Sequence, residues 1–213
     1  MIWFTSDPHS GKHYQGLKDF VNFCTEDDWL IILGDIGLHF RETQMCDEFT
    51  EYFKSLNCNI AFIDGNHENF DYLDSLPQED WHGGRVHRLS DKIVHLMRGY
   101  VFEIDGKTFL TMGGCVSSAK WKEMGLWYPQ ENPTPEEVQR GYDNLQRHGN
   151  RVDYVLTHKS QVEPEDADPL TLTGFSRYVE ENVTYTHWYS GHWHKTAQVD
   201  EKHSVVFEEM MHL

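Results

Sequence analysis

Residues 29–35 read Trp-Leu-Ile-Ile-Leu-Gly-Asp, and residues 59–68 read Asn-Ile-Ala-Phe-Ile-Asp-Gly-Asn-His-Glu. Each stretch begins with a short, nearly continuous apolar run, which predicts a strand buried on both faces. Apolar residues at helical spacing predict one helix at residues 17–24 and another at about residues 42–55, between the two strands. With residues 2–5 as the first strand, this order predicts parallel βαβ units and a doubly wound α/β sheet.

The second half of the chain continues with strands and helices. Residues 100–112 hold two apolar runs around an Asp-Gly pair, which is a strong hairpin pattern. Thr134 precedes Glu137 at the spacing of a capping box and therefore predicts the start of a helix. Two strands and a closing hairpin are predicted at residues 152–156, 184–190 and 196–207. Because no repeat or linker interrupts this series, we expect a single domain over residues 1–213.

Composition restricts the classes of function. The chain has 213 residues, with 18 Lys and Arg against 35 Asp and Glu, so its formal charge is 18 − 35 = −17. Such a charge argues against binding long nucleic acids or anionic membranes, which are held mainly by lysine and arginine. No apolar run is long enough to span a membrane. Four scattered cysteines without a C-x-x-C pair, and an N-terminus unlike a signal peptide, favour a cytoplasmic location.

Polar clusters follow most of the predicted buried strands. Ligands bind outside the carboxyl ends of strands in α/β sheets, so these clusters are expected to meet in one crevice. They supply carboxylates, an amide oxygen and several imidazoles, a set that suits divalent transition metals better than calcium or magnesium alone. The clusters are Asp7-Pro8-His9, Gly34-Asp35, Gly65-Asn66-His67-Glu68, Thr157-His158 and Gly191-His192-Trp193-His194.

Together these clusters resemble the motif set of the calcineurin-like metallophosphoesterases: D-x-H, G-D, G-N-H-[DE], a lone histidine and G-H-x-H. The resemblance extends from Asp7 to His194, and the sequence at residues 65–71 and 83–87 is similar to that of a small bacterial and phage-encoded subgroup. G-N-H-[DE] alone arises by chance in only about one chain in a thousand. The resemblance implies a four-layer α-β-β-α sandwich with two mixed β-sheets and a dinuclear metal centre at one sheet edge.

The resemblance also implies a role for each residue of the motifs. The first metal would be held by Asp7, His9 and His194, the second by Asn66, His158 and His192, and Asp35 would bridge the two. His67 would contact the substrate, as would Asn66, and would protonate the leaving group. Manganese is the expected metal, with iron, zinc, nickel and cobalt as alternatives. Two neighbouring cations would acidify a shared water, and the bridging hydroxide would attack phosphorus in line.

One departure from the family bears on the reaction. Protein Ser/Thr phosphatases continue the G-D motif as G-D-x-x-D-R-G, but this chain has Leu38 and His39 in place of the second Asp and the Arg. We therefore expect hydrolysis of a small or nucleotide-like phosphomonoester or phosphodiester. The alternatives are a protein phosphatase activity and a non-catalytic, metal-stabilised scaffold that binds a protein partner of unknown identity.

Some residues allow two interpretations. The motif residues could be turn and capping residues without a metal, although buried polar groups would then need many separate partners. His39 either faces the substrate or packs in the fold. Four aromatic residues either stack on a nucleobase of the substrate or pack a loop of the fold, namely Trp121, Trp127, Tyr128 and Trp193. The remaining histidines are expected at the surface or in packing, namely His13, His82, His87, His95, His148, His187, His203 and His212, and residues 163–168 are expected to form a solvated loop.

Overall fold

The chain folds into two β-sheets with helices on their outer faces. The computed structural model describes residues 1–11, 15–40, 44–159 and 168–213. The helices are α1 (Gln15–Phe20), α2 (Gln44–Ser55), α3 (Phe70–Ser75), α4 (Ala119–Glu123), α5 (Pro135–Arg147) and α6 (Leu172–Asn182). The strands are β1 (Ile2–Thr5), β2 (Trp29–Leu33), β3 (Asn59–Ile63), β4 (Gln78–Trp81), β5 (Gly84–Arg88), β6 (Ile93–Leu96), β7 (Val101–Ile104), β8 (Lys107–Met112), β9 (Tyr154–Thr157), β10 (His187–Ser190), β11 (Ala197–Gln198), β12 (His203–Val205) and β13 (Met211–His212).

Both sheets are mixed. The first has the order β13-β1-β2-β3-β6-β5-β4, with four central parallel strands and antiparallel strands at both edges. The second has the order β11-β12-β10-β9-β8-β7, again parallel in the centre and antiparallel at the edges. The predicted α/β class with two mixed sheets is therefore confirmed.

Three apolar clusters define the layers. One joins the facing sides of the two sheets and includes Phe4 and Ile31 from the first sheet with Phe109 and Leu156 from the second. A second cluster packs α1, α2 and α3 onto the outer face of the first sheet, and a third packs α5 and α6 onto the second. The layer order is thus α-β-β-α, as the resemblance implies.

Local sequence signals account for many element boundaries. The Thr134 hydroxyl caps α5 by accepting a hydrogen bond from the Glu137 amide, and the Glu137 carboxylate accepts one from the Thr134 amide. The hairpin of β7 and β8 turns at Asp105 and Gly106, both with positive φ, as an Asp-Gly turn requires. The tail also forms its predicted hairpin, since β11 and β12 pair antiparallel.

Several elements differ from the predictions. The first helix ends at Phe20 rather than residue 24, and Val21 is exposed because the chain leaves the helix before it. The predicted strand at 184–190 begins only at His187. The hairpin of β4 and β5 was not predicted, because Gln78–Trp81 is polar and only partly buried, as befits an edge strand. The start of the helix predicted at residue 42 lies outside the described residues.

Within the described ranges, no helix has the length and hydropathy needed to cross a membrane.

Candidate metal centre

The polar residues that follow β1, β2, β3, β9 and β10 gather at one edge of the sandwich. Within the first sheet, the Asp7 amide donates to the Gly34 carbonyl and the His9 amide to the Asp35 carbonyl. Contacts also join the two sheets: for example, the His192 amide donates to Asp7 Oδ2 at 2.9 Å, and His158 Nδ1 lies 2.7 Å from the Leu33 carbonyl. The carboxyl ends of both sheets therefore form one site.

Two groups of side chains have the spacing needed to hold a metal ion. One consists of Asp7, His9 and His194, and the other of Asp7, Asp35 and His158, with candidate ligand atoms within 4.8 Å of one another in each. Nε2 of His9 lies 2.9 Å from Nε2 of His194. Asp35 Oδ2 lies 3.7 Å from His9 Nε2 and 3.5 Å from His158 Nε2, so this carboxylate stands between the two groups.

Several buried polar atoms at the site have no hydrogen-bond partner. They are Asp7 Oδ1, Asn66 Oδ1 and His158 Nε2. An unpaired buried polar atom costs about 1–3 kcal/mol, so three in one place call for a compensating ligand. Carboxylate oxygen, amide oxygen and imidazole nitrogen are all ligands of divalent transition metals, and the donor set therefore fits such ions.

In each of these three side chains, one polar atom is fixed and the other is left over. Asp7 Oδ2 accepts from the Ser6 hydroxyl and the His192 amide, which leaves Oδ1. Asn66 Nδ2 donates to Ser117 Oγ at 3.1 Å, which leaves Oδ1. His158 Nδ1 donates to a backbone carbonyl, so its Nε2 carries the lone pair when the ring is neutral. Partners of this kind orient metal ligands in proteins.

The backbone at the site is unusual. Asp7, His9, Asp35, His192 and His194 all have positive φ angles, between 46° and 71°. Such a conformation is uncommon outside glycine and clusters at functional sites, although Asp and His tolerate it better than most residues.

The glycines that precede Asp35, Asn66 and His192 provide space. Gly34 itself has φ +92°, and a side chain there would collide with the His158 ring. Gly65 and Gly191 lack positive φ, but a Cβ would strike the Asp35 carboxylate at the first and Ser6 Oγ at the second. These glycines therefore allow a tight approach at the site, for different reasons at different positions.

Burial and the two buried carboxylates act in opposite directions on the histidines of the site. Burial opposes protonation of His158, but Asp35 and Asp7 outweigh it and raise its pKa to about 10. Burial lowers the pKa of His9 to about 4 despite the same carboxylates, and burial with the neighbouring His158 lowers that of His192 to about 4. The pKa of Asp35 lies below its usual range because the attraction of His158 outweighs burial. Protons and cations therefore compete for the same ligand atoms.

His67 lies beside the candidate ligands and is itself half-buried. Its backbone amide donates to Asp35 Oδ1 at 2.7 Å, which fixes the start of the segment that carries it. Its ring lies 5.5 Å from the His9 ring, 4.8 Å from that of Trp121 and 5.8 Å from that of Phe40, measured between centroids. The imidazole thus stands at the mouth of the site between two aromatic side chains.

His39 packs against a neighbouring helix, whereas Trp193 adjoins a candidate ligand. The His39 ring packs against Tyr72 with centroids 4.5 Å apart, and its carbonyl accepts from Asn69 Nδ2. Trp193 is 41% exposed and contacts the His192 ring at 5.3 Å. Substrate contact remains a prediction for both.

Most other histidines take part in packing or surface contacts. His87 and His95 are buried and stacked on each other, and His203 bonds to Glu180 and Asp200. His13 and residues 163–167 of the acidic stretch lie outside the described residues.

Sequence reasoning missed the supporting residues of the site. Glu68 is 2% exposed and accepts from the amides of Ile36, Gly37 and Gly65, so it joins the Asp35 loop to the Asn66 loop. Burial and the nearby Asp35 raise its pKa to about 8. Its place in the G-N-H-E motif was a signal for this role, whereas nothing in the sequence pointed to Ser117.

A family model described as calcineurin-like phosphoesterase matches residues 1–196. The chain belongs to this family. The resemblance found in the motifs is thereby confirmed, and membership of the calcineurin-like phosphoesterases supports metal-dependent hydrolysis of phosphoesters. No curated protein sequence matches the chain significantly.

Proposed function

We propose that the chain is a dinuclear metal-dependent phosphoesterase that hydrolyses a small or nucleotide-like phosphomonoester or phosphodiester. The observation that carries this proposal is the set of three buried, unpartnered atoms on Asp7, Asn66 and His158. Each belongs to a different strand end, and in each the companion atom is already bonded. This arrangement supports a bound cation better than it supports turn residues with structural roles alone.

In this proposal, seven residues hold two divalent transition-metal ions, with manganese expected. Asp7, His9 and His194 bind the first, Asn66, His158 and His192 bind the second, and Asp35 bridges them. When bound, the ions supply an acidified water as nucleophile and neutralise charge on the phosphoryl oxygens. The position of Asp35 Oδ2 between His9 and His158 supports the bridging role.

His67 acts as the general acid. It stands at the mouth of the site, and the hydrogen bond from its amide to Asp35 keeps it beside the candidate ligands. It donates a ring proton to the leaving oxygen of the substrate. Asn66 contacts the phosphoryl group of the substrate through its side-chain amide. His39 and Trp193 are proposed as more peripheral substrate contacts.

The surroundings of Leu38 and His39 favour a small substrate over a phosphoprotein. Leu38 is 4% exposed and belongs to the core under α1 and α2, while the His39 ring lies against Tyr72. These positions therefore offer no counterpart of the Asp-Arg pair of protein phosphatases. The single-domain arrangement over residues 1–213 and a cytoplasmic location are also proposed, the latter supported by four buried cysteines, all in the described residues and none in a disulfide.

Hydrolysis of a chromogenic aryl phosphate tests the reaction. We expect activity with Mn²⁺, none after chelation, and none above background for Asp35→Asn. Comparison of a mono-aryl with a bis-aryl phosphate at equal Mn²⁺ occupancy distinguishes monoesterase from diesterase activity. Asp35→Asn with wild-type activity would contradict the bridging role. Metal uptake and thermal stabilisation without hydrolysis of any ester would favour the scaffold alternative.

The role of His67 has its own test. His67→Ala is expected to retain stabilisation by Mn²⁺ while turnover falls by about two to four orders of magnitude, the usual contribution of a general acid. His212→Ala, which replaces an exposed histidine, serves as the control and should behave as wild type. Loss of metal binding in His67→Ala would instead make His67 a ligand.

A further inference from the structure

The loop that carries α4 is closed at its base by one buried carboxylate. Glu131 is 2% exposed; its Oε2 accepts from the Ser117 amide and its Oε1 from the Tyr128 amide. The segment from Ser117 to Tyr128 leaves the fold and returns to the same point, as in an Ω-loop. We call residues 117–128 the Glu131 loop.

The Glu131 loop is attached directly to the candidate metal centre. Ser117, at its base, accepts the hydrogen bond of Asn66 Nδ2. Beyond this base, α4 contains no buried residue, and Met124 is 56% exposed. A helix of five residues has little stability of its own, so the loop is placed by its base and by the contacts of its side chains.

One of those contacts is with the proposed general acid. The Trp121 ring meets the His67 ring edge to face, with centroids 4.8 Å apart and planes at 70°. Phe40 approaches the same imidazole at 5.8 Å and 87°. Both aromatic residues are partly exposed, so apolar surface remains open beside His67.

The position of the leaving group follows from that of its proton donor. A general acid must lie within hydrogen-bond reach of the leaving oxygen. Whatever is bonded to this oxygen therefore lies next to His67, where the neighbouring side chains include the rings of Phe40 and Trp121. Aromatic rings bind other planar rings by stacking or edge contacts, with an advantage over alkyl groups.

We propose that the leaving group of the substrate carries an aromatic ring, and that Trp121 is the main residue selecting it, with Phe40 as a second aromatic contact. This inference rests on the proposed function, because it takes the position of the leaving group from the role of His67. It adds to that function a substrate class and a recognition element, the Glu131 loop.

Binding of two phosphonates to the Mn²⁺-loaded protein tests the proposal without turnover. Phenylphosphonate carries the ring and methylphosphonate lacks it, and isothermal titration calorimetry measures both. We expect Trp121→Leu to weaken phenylphosphonate binding about tenfold and to leave methylphosphonate binding within about twofold. Trp121→Phe, which retains a ring, should retain most of the preference.

A matched control comes from the same loop. Trp127 is 40% exposed and its ring packs under Lys122 at 5.2 Å, so Trp127→Leu removes an equal ring without touching the His67 contact. It should leave both affinities unchanged. The proposal is overturned if Trp121→Leu weakens both phosphonates equally or neither, or if Trp127→Leu reproduces its effect.

Kinetic assays separate this inference from the function on which it rests. The ratio of kcat/KM for phenyl phosphate to that for ethyl phosphate should fall about tenfold in Trp121→Leu relative to wild type, since intrinsic reactivity cancels between the two proteins. Hydrolysis with an unchanged ratio would overturn the inference and leave the proposed function standing. Wild-type protein that prefers phenylphosphonate through Trp121 but hydrolyses neither ester would overturn the proposed function instead.

Discussion

Two buried polar clusters lie next to each other at the end of β3, and they differ in how their atoms are paired. One is the candidate metal centre. The other, which we call the Asp64 cluster, consists of Gln78, His87, His95, Arg98 and Asp64. Asp64 is separated from Asn66 by Gly65 alone, so the two clusters share a turn but not a role.

Every contact in the Asp64 cluster has a donor and an acceptor. Asp64 can only accept, so His95 donates to it from Nε2, and a neutral His95 then accepts at Nδ1 from His87 Nδ1 at 2.9 Å. His87 Nε2 in turn accepts from Gln78. Arg98 completes the cluster with hydrogen bonds from Nε and Nη2 to the other Asp64 oxygen. The direction of each bond follows from its neighbour.

The candidate metal centre has the opposite property. Of the buried side-chain atoms without partners in the described part of the chain, three belong to it and none to the Asp64 cluster. Both clusters combine histidines with fully buried aspartate, so the presence of these residues and the burial of their carboxylates would not tell the clusters apart. A site prepared for a ligand differs from a structural network because it has unpaired polar atoms, while the other polar atom of each side chain is already hydrogen-bonded.

The largest expected effect is on the Asp64 cluster. Asp64→Asn removes the fully buried partner of Arg98 and leaves this guanidinium with the partly exposed Glu137, so we expect it to lower the free energy of unfolding by about 3 kcal/mol, with or without Mn²⁺. Urea unfolding measures this. Asp74→Asn, which changes an exposed carboxylate on α3, is the control and should cost less than about 0.5 kcal/mol. Equal effects of the two variants would mean that the Asp64 pairing has no special importance.

An intermediate change in the free energy of unfolding is expected from metal binding at the candidate metal centre. At a hundredfold excess over its dissociation constant, Mn²⁺ should stabilise the wild-type protein by about 2.7 kcal/mol. Asp7→Asn should lose most of this increment, because Asp7 belongs to both candidate groups, yet change the metal-free protein far less than Asp64→Asn does. Urea unfolding with Mn²⁺ and with chelator gives both quantities. A full Mn²⁺ increment in Asp7→Asn would contradict its role as a ligand.

The smallest expected effect is on the pH dependence of the free energy of unfolding. Burial, with His95 beside it, lowers the pKa of His87 from 6.5 to about 4. Between these values the unfolded chain binds a proton that the folded protein does not, so the free energy of unfolding falls as the pH falls from 6.5 towards 4. His87→Gln removes this proton, so its unfolding free energy should depend less steeply on pH in that range. Parallel pH profiles of the two proteins would show that His87 is not kept neutral by the fold.

Much of the sheet framework could be predicted because apolar strands are a strong local signal. Residues 29–33 and 59–63 are strands in the structure with the predicted bounds, and the polar residues after them meet as expected. The β4–β5 hairpin escaped prediction because its stability comes from pairing with β6 rather than from its own apolar pattern.

The motif residues of the site could be named from the sequence, but the hydrogen bonds and backbone angles that orient them towards a ligand could not be predicted. The bond from Asn66 to Ser117 spans 51 positions, and that from Asp7 to the His192 amide spans 185. Such long-range partners leave no periodic trace in a single sequence. The positive φ angles at Asp7 and Asp35 likewise arise from the approach of neighbouring loops, which local propensity does not encode.

The 185-residue separation of His9 and His194 has a consequence for biosynthesis. At a translation rate of about 5–20 residues per second, roughly ten to forty seconds pass between the synthesis of the two histidines. A nascent chain that has made only its first half offers both candidate carboxylates, Asp7 and Asp35, but none of the imidazoles of His158, His192 and His194. Capture of a metal by His9 and His194 together therefore has to wait until the C-terminal strands have emerged from the ribosome and folded.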